Sequence, residues 1–345
     1  MLCGMEEAKR AAMIAAAGAH NLLLAGPPGT GKTMLARCLP GILPPMSEEE
    51  KQEVSAIYSA AGQLEDGTLI QERPFVSPHH TVSVYAMTGG GAVPKPGMVT
   101  LAHRGVLFLD EMAEFKRQTL DVLRQPMEEG KIFLARSRGN FVYPADFMLL
   151  GATNPCPCGY FGHPTRACTC TAASVSRYLS RVSGPLLDRL DLHIDAQPVE
   201  FGALASKDKA ESSAAIKARV DKAREVQSRR FASAGISCNA RMTPGMLLDA
   251  CPMTEDANRL LKNAFERMGL SARAYDRILK VARTIADLDG SDQIDTSHVG
   301  GSRPIPDVGP EILAEKMVQK TASHWEGGFY CLFVSLLYCW ICPGN

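Results

Sequence analysis

The chain has 345 residues, which exceeds the size at which one hydrophobic core keeps growing, so we expect two or three domains. Its 37 Lys and Arg residues balance 37 Asp and Glu residues. This balance excludes an overall field that would drive the whole chain onto nucleic acid or an anionic membrane, so any such contact must come from local patches.

The first twenty residues combine an alanine-rich stretch with several charges. They lack the signal-peptide order of a basic end, an apolar run and a cleavage site, so we expect a cytoplasmic protein. Thiols stay reduced in the cytosol, and clusters among the eleven cysteines would therefore indicate metal binding before disulfides.

The segment NLLLAGPPGTGKT predicts a strand, a glycine-rich loop and the start of a helix. The loop matches G-x-x-x-x-G-K-[ST], in which backbone N–H groups and a helix N-terminus surround phosphate oxygens. We expect Lys32 to reach the outer phosphates of ATP and the Thr33 hydroxyl to bind Mg²⁺. The alternative is a glycine turn without a ligand. The predicted nucleotide-binding residues of the loop are Gly26, Pro27, Pro28, Gly29, Thr30, Gly31, Lys32 and Thr33.

An apolar run from Val106 to Leu109 ends in Asp110 and Glu111. A run that is apolar on both faces is typical of a central parallel strand, and acidic residues at its carboxyl end lie where open α/β sheets bind ligands. Asp110 is expected to hold Mg²⁺ through water, and Glu111 to orient or deprotonate the attacking water. The alternative is a solvated acidic strand end.

A third apolar strand is predicted from Phe147 to Leu150, with Thr153 and Asn154 at its end. The Asn154 amide would hydrogen-bond the γ-phosphate or the attacking water. Taken alone, an asparagine after a strand is usually a turn residue, so this prediction depends on its position after the other two strands.

Two excursions interrupt the strand and helix pattern. The first, TGGGAVPKPG, is too rich in glycine and proline for a regular helix or a central strand, and we expect it to be mobile. The second, EEGKIFLARSRGNFVYPADF, predicts a β-hairpin with a basic tip. Lys95, Arg136 and Arg138 are the candidates for phosphate contacts along a nucleic-acid strand, and the alternative is that these basic tips serve solubility.

The segment NPCPCGYFGHPTRACTC spaces four cysteines as C-x-C, nine residues and C-x-C. Four thiolates predict a closed tetrahedral Zn²⁺ site, structural because no coordination position stays open, although C-x-C is tighter than the usual spacing. The alternative is that the cysteines form a redox pair assisted by His163 and Arg166. This alternative is weaker, because a disulfide is unfavourable in the cytosol. The predicted ligands are Cys156, Cys158, Cys168 and Cys170.

Taken in order, GPPGTGKT, LFLDE, ATN and SGPLLDRLDLHI resemble four motifs of AAA+ ATPases: the nucleotide-binding loop, acidic strand, sensor-1 and arginine-finger segments. The stretch RPFVSPHHTVSVYAMTGGG and the run NPCPCGYFGH resemble the magnesium-chelatase-like branch and, within it, proteins of the ComM/YifB type. The resemblance covers roughly residues 4 to 295. It implies an α/β AAA+ P-loop core, with a parallel sheet flanked by helices, followed by a small helical lid.

The same resemblance implies function. It predicts an ATP-hydrolysing homo-oligomeric ring, expected to be a hexamer, that uses ATP and Mg²⁺ to act on DNA. Branch migration during uptake and recombination of DNA is the role described for the family. No stable membrane association is expected. Two alternatives stay open: the ATPase subunit of a metal chelatase, and an ATP-binding fragment without motor activity.

Two arginines are carried over from the family. Arg189 in LLDRLD resembles the finger that enters the neighbouring subunit's ATP site, and a local ion pair with Asp188 or Asp191 is the alternative. Arg273 resembles the sensor-2 arginine of the lid, and a merely solvated arginine is the alternative. The glycine-rich excursion resembles the helix-2 insertion that projects toward a ring's pore.

The predicted domains are a nucleotide-binding core over residues 1–200, a helical lid over 201–296 and an atypical tail over 297–345. The core includes the helix-2 insertion, the hairpin and the cysteine cluster. Only some twenty residues precede the first strand, so the family's N-terminal Lon-type domain is expected to be absent. The apolar tail segment from Phe329 to Cys342 is too short to span a bilayer comfortably. We expect truncation or a shifted frame, and the alternative is a partner-binding or membrane-surface segment.

Overall fold

A five-stranded parallel sheet lies at the centre of the first domain. The computed structural model describes residues 5–64, 68–91, 94–136, 139–163, 165–196 and 211–301. The sheet has the strand order β2-β5-β8-β1-β9. The strands in chain order are β1 Leu22–Ala25, β2 Phe75–Val76, β3 Gly89–Gly90, β4 Lys95–Pro96, β5 Val106–Leu109, β6 Lys131–Arg136, β7 Gly139–Pro144, β8 Met148–Thr153 and β9 Leu192–Asp195.

Helices flank this sheet and then form a unit of their own after it. Together with the parallel sheet, they confirm the predicted α/β class with a following helical domain. The described helices are α1 Glu6–Gly18, α2 Lys32–Cys38, α3 Glu48–Ala60, α4 Val84–Thr88, α5 Met98–Leu101, α6 Arg117–Asp121, α7 Arg124–Glu129, α8 Ala172–Leu179, α9 Gly184–Leu187, α10 Ser213–Arg230, α11 Pro244–Ala250, α12 Glu255–Met268, α13 Ala272–Asp289 and α14 Thr296–Gly300.

Burial on both faces explains the apolar strands. All four residues of β5 and all six of β8 are buried, as expected for central strands covered by helices on both sides. The predicted strand at 106–109 is confirmed with its bounds. The strand predicted from Phe147 begins instead at Met148 and continues to Thr153, because the small residues Gly151 and Ala152 pair with β1 and extend the ladder.

The strand register brings the strand ends to common edges of the sheet. Leu22 pairs with both Leu150 and Leu192, so β8, β1 and β9 run side by side in the same direction. We call the side where these strands begin the amino edge, and the side where they end the carboxyl edge. The nucleotide loop leaves β1 at the carboxyl edge.

The alanine-rich helix α1 joins the sheet domain to the helical unit. Its alanines are buried, and they share one apolar cluster with strands β1, β5 and β8. Val220 and Ala223 of α10 and Ile285 of α13 belong to the same cluster. Small side chains permit this close helix packing. The alanine-rich segment therefore forms the link between the sheet domain and the helical unit.

The helical unit has an apolar cluster of its own, which includes Phe231, Leu261 and Leu279. Its last described helix, α14, packs against α12 and α13, and Val299 is buried in the cluster. Helical packing therefore continues to residue 300, a few residues past the predicted lid end at 296. The predicted boundary at residue 200 and the tail from 302 onward lie outside the described residues.

The two excursions form separate β-ribbons. The predicted hairpin is confirmed by the antiparallel pairing of β6 with β7. The glycine-rich excursion forms a shorter antiparallel pair, in which Gly89 faces Pro96 and Gly90 faces Lys95. The Tyr143 hydroxyl of β7 donates a hydrogen bond to the Pro94 carbonyl oxygen at 2.8 Å, so the two ribbons touch. No helix of the described residues is long and apolar enough to cross a membrane.

Candidate nucleotide-binding site

The glycine-rich loop turns sharply from β1 into α2. Gly31, which precedes the helix, has a φ of 84°, a left-handed conformation that glycine adopts without the steric cost of a side chain. The Lys32 side chain bends back into the loop, where its Nζ donates to the carbonyl oxygens of Gly26 and Pro27, both at 2.7 Å. The loop and the start of α2 therefore enclose a cation next to the backbone N–H groups of a helix N-terminus.

Burial disfavours the charge that Lys32 carries. The side chain is 8% exposed, and desolvation lowers the pKa of its ammonium group, although the carboxylates of Asp110 and Asp195 act in the opposite direction. The nearest hydrogen-bond acceptors are neutral carbonyl oxygens. A buried cation with such incomplete compensation favours the binding of an anion such as a phosphate, so the residues present fit the triphosphate that the loop motif predicts.

The Thr33 hydroxyl and the Asp110 carboxylate, which are both predicted to hold Mg²⁺, lie in contact. Thr33 Oγ1 donates to Asp110 Oδ2 at 2.8 Å, and the Glu111 backbone N–H donates to Asp110 Oδ1 at 3.0 Å. Hydroxyl and carboxylate oxygens are hard ligands of the kind Mg²⁺ prefers. The sequence predicted both residues separately, and the structure brings them into contact.

Glu111 has a strained backbone and an exposed side chain. Its φ is 50°, in the left-handed region that residues other than glycine rarely adopt, and such strain clusters at functional sites. Its carboxylate is 56% exposed and lies 3.9 Å from His80 Nδ1. A free, water-facing carboxylate beside Thr33 and Asp110 has the chemistry required of a group that orients or deprotonates water.

Asn154 joins the same group of residues. Its Oδ1 lies 3.4 Å from Lys32 Nζ. The register explains this meeting: Thr153, the last residue of β8, pairs with Ala25, the last residue of β1. Strands that end together at one edge place the residues after them side by side, so Lys32, Thr33, Asp110 and Asn154 converge.

Two residues near this site were missed from the sequence. His80 faces Glu111, and its ring also lies 4.0 Å, between centroids, from that of His79. Tyr178 of α8 is buried, and desolvation together with the Glu114 carboxylate raises its pKa to about 12. The PHH run follows β2, which pairs with β5, so recognising β2 as the neighbour of the acidic strand would have pointed to His80.

Arg189 lies before β9 and therefore at the amino edge, away from its own chain's nucleotide loop. Its carbonyl oxygen accepts from the Asn21 side chain at 2.9 Å, and Asn21 immediately precedes β1. Its guanidinium donates to the Pro185 carbonyl oxygen and forms an ion pair with Glu128. Among the described residues, its buried Nε has no hydrogen-bond partner.

The ion pair considered for Arg189 thus exists, but with a different partner. Asp191 instead accepts a hydrogen bond from the Asn21 backbone N–H at 2.9 Å and lies 3.6 Å from His20 Nδ1. The partner, Glu128, lies on α7, sixty-one positions earlier in the chain, so local spacing could not have found it.

Arg273 lies close to Arg189. Its Nη2 is 3.9 Å from Glu128 Oε1, the oxygen that also pairs with Arg189, and its side chain is 73% exposed. The helical unit meets the sheet domain at the amino edge. There Arg277 Nη1 donates to the Leu190 carbonyl oxygen at 3.2 Å, and His20 Nε2 lies 2.8 Å from Thr284 Oγ1. Arg189 and Arg273 therefore share one face, opposite the nucleotide loop.

The candidate DNA contacts are only partly described. Lys95 lies exposed on β4. Arg136 is the last residue of β6, and its side chain lies outside the described residues, as does all of Arg138. Beside them, the register pair Phe133 and Val142 exposes apolar side chains on one face of the hairpin, each about half exposed.

Four cysteine sulfurs gather between β8 and α8. All four Sγ atoms lie within 4.8 Å of one another, and Cys156 Sγ is 3.3 Å from Cys158 Sγ and 3.7 Å from Cys168 Sγ. Four ligands at the usual zinc–sulfur distance of about 2.3 Å stand about 3.8 Å apart in a tetrahedron. The observed spacing is close to this value and far above a disulfide bond of about 2.05 Å. Cys170 completes the cluster.

The charges in this cluster also favour a cation. Hydrogen bonds from the backbone N–H groups of Tyr160 and Thr169 lower the pKa of Cys158 to about 6, which favours its thiolate. Desolvation and the neighbouring sulfurs raise the pKa of Cys168 to about 12, so full ionisation of the cluster needs a compensating ion. Arg166 donates to the Tyr160 hydroxyl at 2.7 Å, and the His163 ring accepts from nearby backbone N–H groups. Four free thiols at metal-ligand spacing fit a tetrahedral zinc ion.

Comparison with known proteins identifies the family to which the chain is similar. The family model for magnesium chelatase, subunit ChlI, matches residues 1–204, and the model for the ChlI C-terminal part matches residues 210–302. The YifB protein of Salmonella typhimurium is 49% identical over 86% of this chain, and the competence protein ComM of Haemophilus influenzae is 45% identical over 86%. The chain spans 58% of the length of each of these two relatives.

A more distant relative links the core to chelatases. The magnesium-chelatase 38 kDa subunit of Cereibacter sphaeroides is 28% identical over 45% of this chain. The two family models together cover both the parallel-sheet domain and the helical unit. The chain therefore belongs to the magnesium-chelatase-like family of AAA+ ATPases, in the branch that includes YifB and ComM.

Proposed function

We propose that the chain binds and hydrolyses ATP as a subunit of a homo-oligomeric ring, expected to be a hexamer, that acts as a motor on DNA. The observation that carries this proposal is the separation of the site residues between two edges of one sheet. Lys32, Thr33 and Asp110 meet at the carboxyl edge, whereas Arg189 and Arg273 share the amino edge. A complete site then needs two copies, each contributing one edge.

Within one chain, the loop residues bind and the acidic residues activate water. Lys32 and the N–H groups at the start of α2 hold phosphate oxygens. Asn154, whose Oδ1 lies 3.4 Å from Lys32 Nζ, hydrogen-bonds the γ-phosphate or the attacking water. Thr33 and Asp110 hold Mg²⁺, which supplies charge that offsets the negative charge of the phosphates. Glu111 takes the proton of the attacking water or orients that water, since its carboxylate is exposed and faces His80 Nδ1 at 3.9 Å.

The arginines complete the neighbour's site. An arginine supplied in trans stabilises the charge that develops on the transferred phosphoryl group. Glu128 holds Arg189 within its own chain and lies near Arg273, so both guanidinium groups stay at the face that a neighbouring copy would meet. The predicted arginine-finger and sensor-2 roles are thus proposed for one interface.

The two ribbons are proposed as the DNA-contacting surface. Lys95 would neutralise a phosphate, and Arg136 and Arg138 at the hairpin tip would do the same. Phe133 is exposed beside them and offers a ring on which a base could stack. The hydrogen bond from Tyr143 to Pro94 ties the two ribbons together, which would let them move along DNA as one unit.

The proposal also includes a structural zinc ion, a cytoplasmic location and a division of the chain into a core and a lid. Cys156, Cys158, Cys168 and Cys170 would bind the ion as thiolates, and reduced thiols fit a cytoplasmic protein. The nucleotide-binding core is proposed to occupy residues 1–200 and the lid to follow from 201.

ATP turnover measured with and without branched DNA tests the motor proposal. We expect DNA to stimulate turnover, and Lys95→Ala to reduce that stimulation and to lower the salt dependence of DNA binding by about one phosphate contact. Lys262→Ala removes an exposed lysine of α12 and serves as the matched control, with stimulation retained. An ATP turnover rate that does not change when DNA is added would instead favour the ATPase subunit of a chelatase. A chain that binds ATP but does not hydrolyse it would be a fragment lacking motor activity.

A further inference from the structure

The cysteine cluster and the nucleotide loop are attached to neighbouring strands. Asn154 and then Cys156 follow β8, while Gly26 follows β1, and the Gly26 backbone N–H donates to the Thr153 carbonyl oxygen at 3.1 Å. We call residues 155–163 and 165–170 the thiol loop. The two loops therefore leave the carboxyl edge side by side.

Gly159 of the thiol loop packs directly on the nucleotide loop. A Cβ atom placed on Gly159 would lie 2.6 Å from Cδ and 3.1 Å from Cγ of Pro28. These distances are below van der Waals contact, so only a residue without a side chain fits at this point. The backbone of the thiol loop therefore packs against the turn of the nucleotide loop that contains Pro28.

Little besides the sulfurs holds the thiol loop in this place. It has no helix or strand, and among its described residues only Cys156 and Gly159 are buried. Its hydrogen bonds include those from the Phe161 N–H to Cys156 Sγ at 3.3 Å and from the Cys170 N–H to Cys168 Sγ at 3.4 Å. A loop with so small a core depends on its metal for local folding energy.

We propose that the thiol loop is a metal-dependent support for the nucleotide loop: zinc bound by the four thiolates holds Gly159 against Pro28 and so keeps the phosphate-binding turn in its binding shape. The inference rests on the ATP binding and the zinc site proposed above. Because a preformed site spends less of its binding energy on ordering, loss of the ion would weaken nucleotide affinity without removing any group that touches the nucleotide.

Two glycines of the thiol loop provide a matched pair of variants. Gly159 and Gly162 have left-handed φ values of 83° and 76°, so alanine is strained to a similar degree at either position. A Cβ atom on Gly162 meets nothing within 4 Å, whereas one on Gly159 meets Pro28. Comparing Gly159→Ala with Gly162→Ala therefore isolates the contact between the two loops from the backbone strain.

The experiment measures zinc by elemental analysis, thermal unfolding, and the affinity for a fluorescent non-hydrolysable ATP analogue. We expect both alanine variants to retain zinc and to unfold cooperatively. Gly159→Ala should bind the analogue about tenfold more weakly than Gly162→Ala, because its Cβ atom would displace the Pro28 ring and with it the phosphate-binding turn. The double variant Gly159→Ala/Pro28→Ala removes the colliding ring atoms and should recover part of the affinity.

Chelation of zinc under reducing conditions provides the second test. The metal-free parent should lose affinity for the analogue, and metal-free Gly159→Ala should lose little more, because both changes act through one contact and are not additive. Equal affinities of the two alanine variants, or a metal-free parent that binds as tightly as the zinc form, would overturn the support role. A parent that retains zinc but binds the analogue no better than Lys32→Ala would instead overturn the proposed nucleotide binding.

Discussion

In the proposed ATP site, Lys32 binds the nucleotide and Glu111 acts on water. Lys32 is buried against carbonyl oxygens, where its charge is only partly compensated, and Glu111 faces solvent from a strained backbone position. The first residue therefore contributes attraction for phosphates, whereas the second contributes a carboxylate that is not needed to hold the loop together.

Substitution of these two residues should have different effects. We expect Lys32→Ala to abolish nucleotide binding, because it removes the cation inside the loop. Glu111→Gln should keep binding and lose hydrolysis, because only the group that acts on water is removed. Equilibrium binding of an ATP analogue and phosphate release measure the two properties.

The control for the loss of a carboxylate is Glu266→Gln, which changes an exposed glutamate of α12 that lies 3.9 Å from Lys262. This variant should match the parent in both measurements. Parent-rate hydrolysis by Glu111→Gln would show that the acidic strand has been assigned the wrong role.

The thiol loop is a short element with little packing of its own. Its four sulfurs lie at metal-ligand spacing, and most of its remaining described residues are exposed or half-buried. Its stability should therefore follow the occupancy of the metal site rather than the apolar core of the sheet domain.

Replacing Cys156 and Cys158 together by Ser should release the zinc and lower the melting temperature. We expect about one zinc per chain in the parent by elemental analysis, since four thiolates complete one tetrahedral site. Cys38→Ser changes an exposed free cysteine of α2 and should affect neither quantity. A parent whose melting temperature is unchanged by metal removal would contradict a structural role for the ion.

Local sequence patterns predicted those elements whose contacts are set by strand order. An apolar run that ends in Asp110 and a glycine loop that ends in Lys32 both indicate the carboxyl edge of a parallel sheet. The structure brings Thr33 and Asp110 into contact at this edge. The hairpin was also predictable, because alternation and a glycine turn are local signals.

The remaining features depend on packing between distant segments. Glu128 and Arg189 meet across the fold, and the helical unit reaches the amino edge through contacts such as that of Arg277 with Leu190. Neither arrangement leaves a periodic pattern in the sequence. His80 was missed for the same reason: its position follows from β2 pairing with β5, and β2 is only two residues long.

At the scale of the whole molecule, the proposed ring places Lys32 and Arg189 in one shared site, although they lie at opposite edges of the sheet within a chain. If Arg189 works in a neighbour's site, Arg189→Ala should leave ATP affinity nearly intact and lower turnover by roughly 10³ to 10⁵. Mixing it with inactive Glu111→Gln should restore some turnover, because some interfaces then join an intact Glu111 to an intact Arg189. Steady-state phosphate release from mixtures at several ratios measures this recovery.

Arg259→Ala removes an exposed arginine that pairs with Asp256 on α12 and serves as the control, with turnover retained. If Arg189 only pairs with Glu128 within its own chain, mixtures should show no recovery of turnover. Parent-like turnover by Arg189→Ala would remove the strongest argument for shared sites.

The placement of Lys32 and Arg189 at opposite ends of the strands would give the proposed ring a direction. Copies that join head to tail use two different surfaces at each contact, so the contact is heterologous and every copy points the same way around. An open row of copies always leaves one loop without an arginine donor at one end and one arginine pair without a loop at the other. Closure removes both incomplete ends at once, so the last copy to join completes two sites, and activity per chain should rise most steeply at the concentration where rings close.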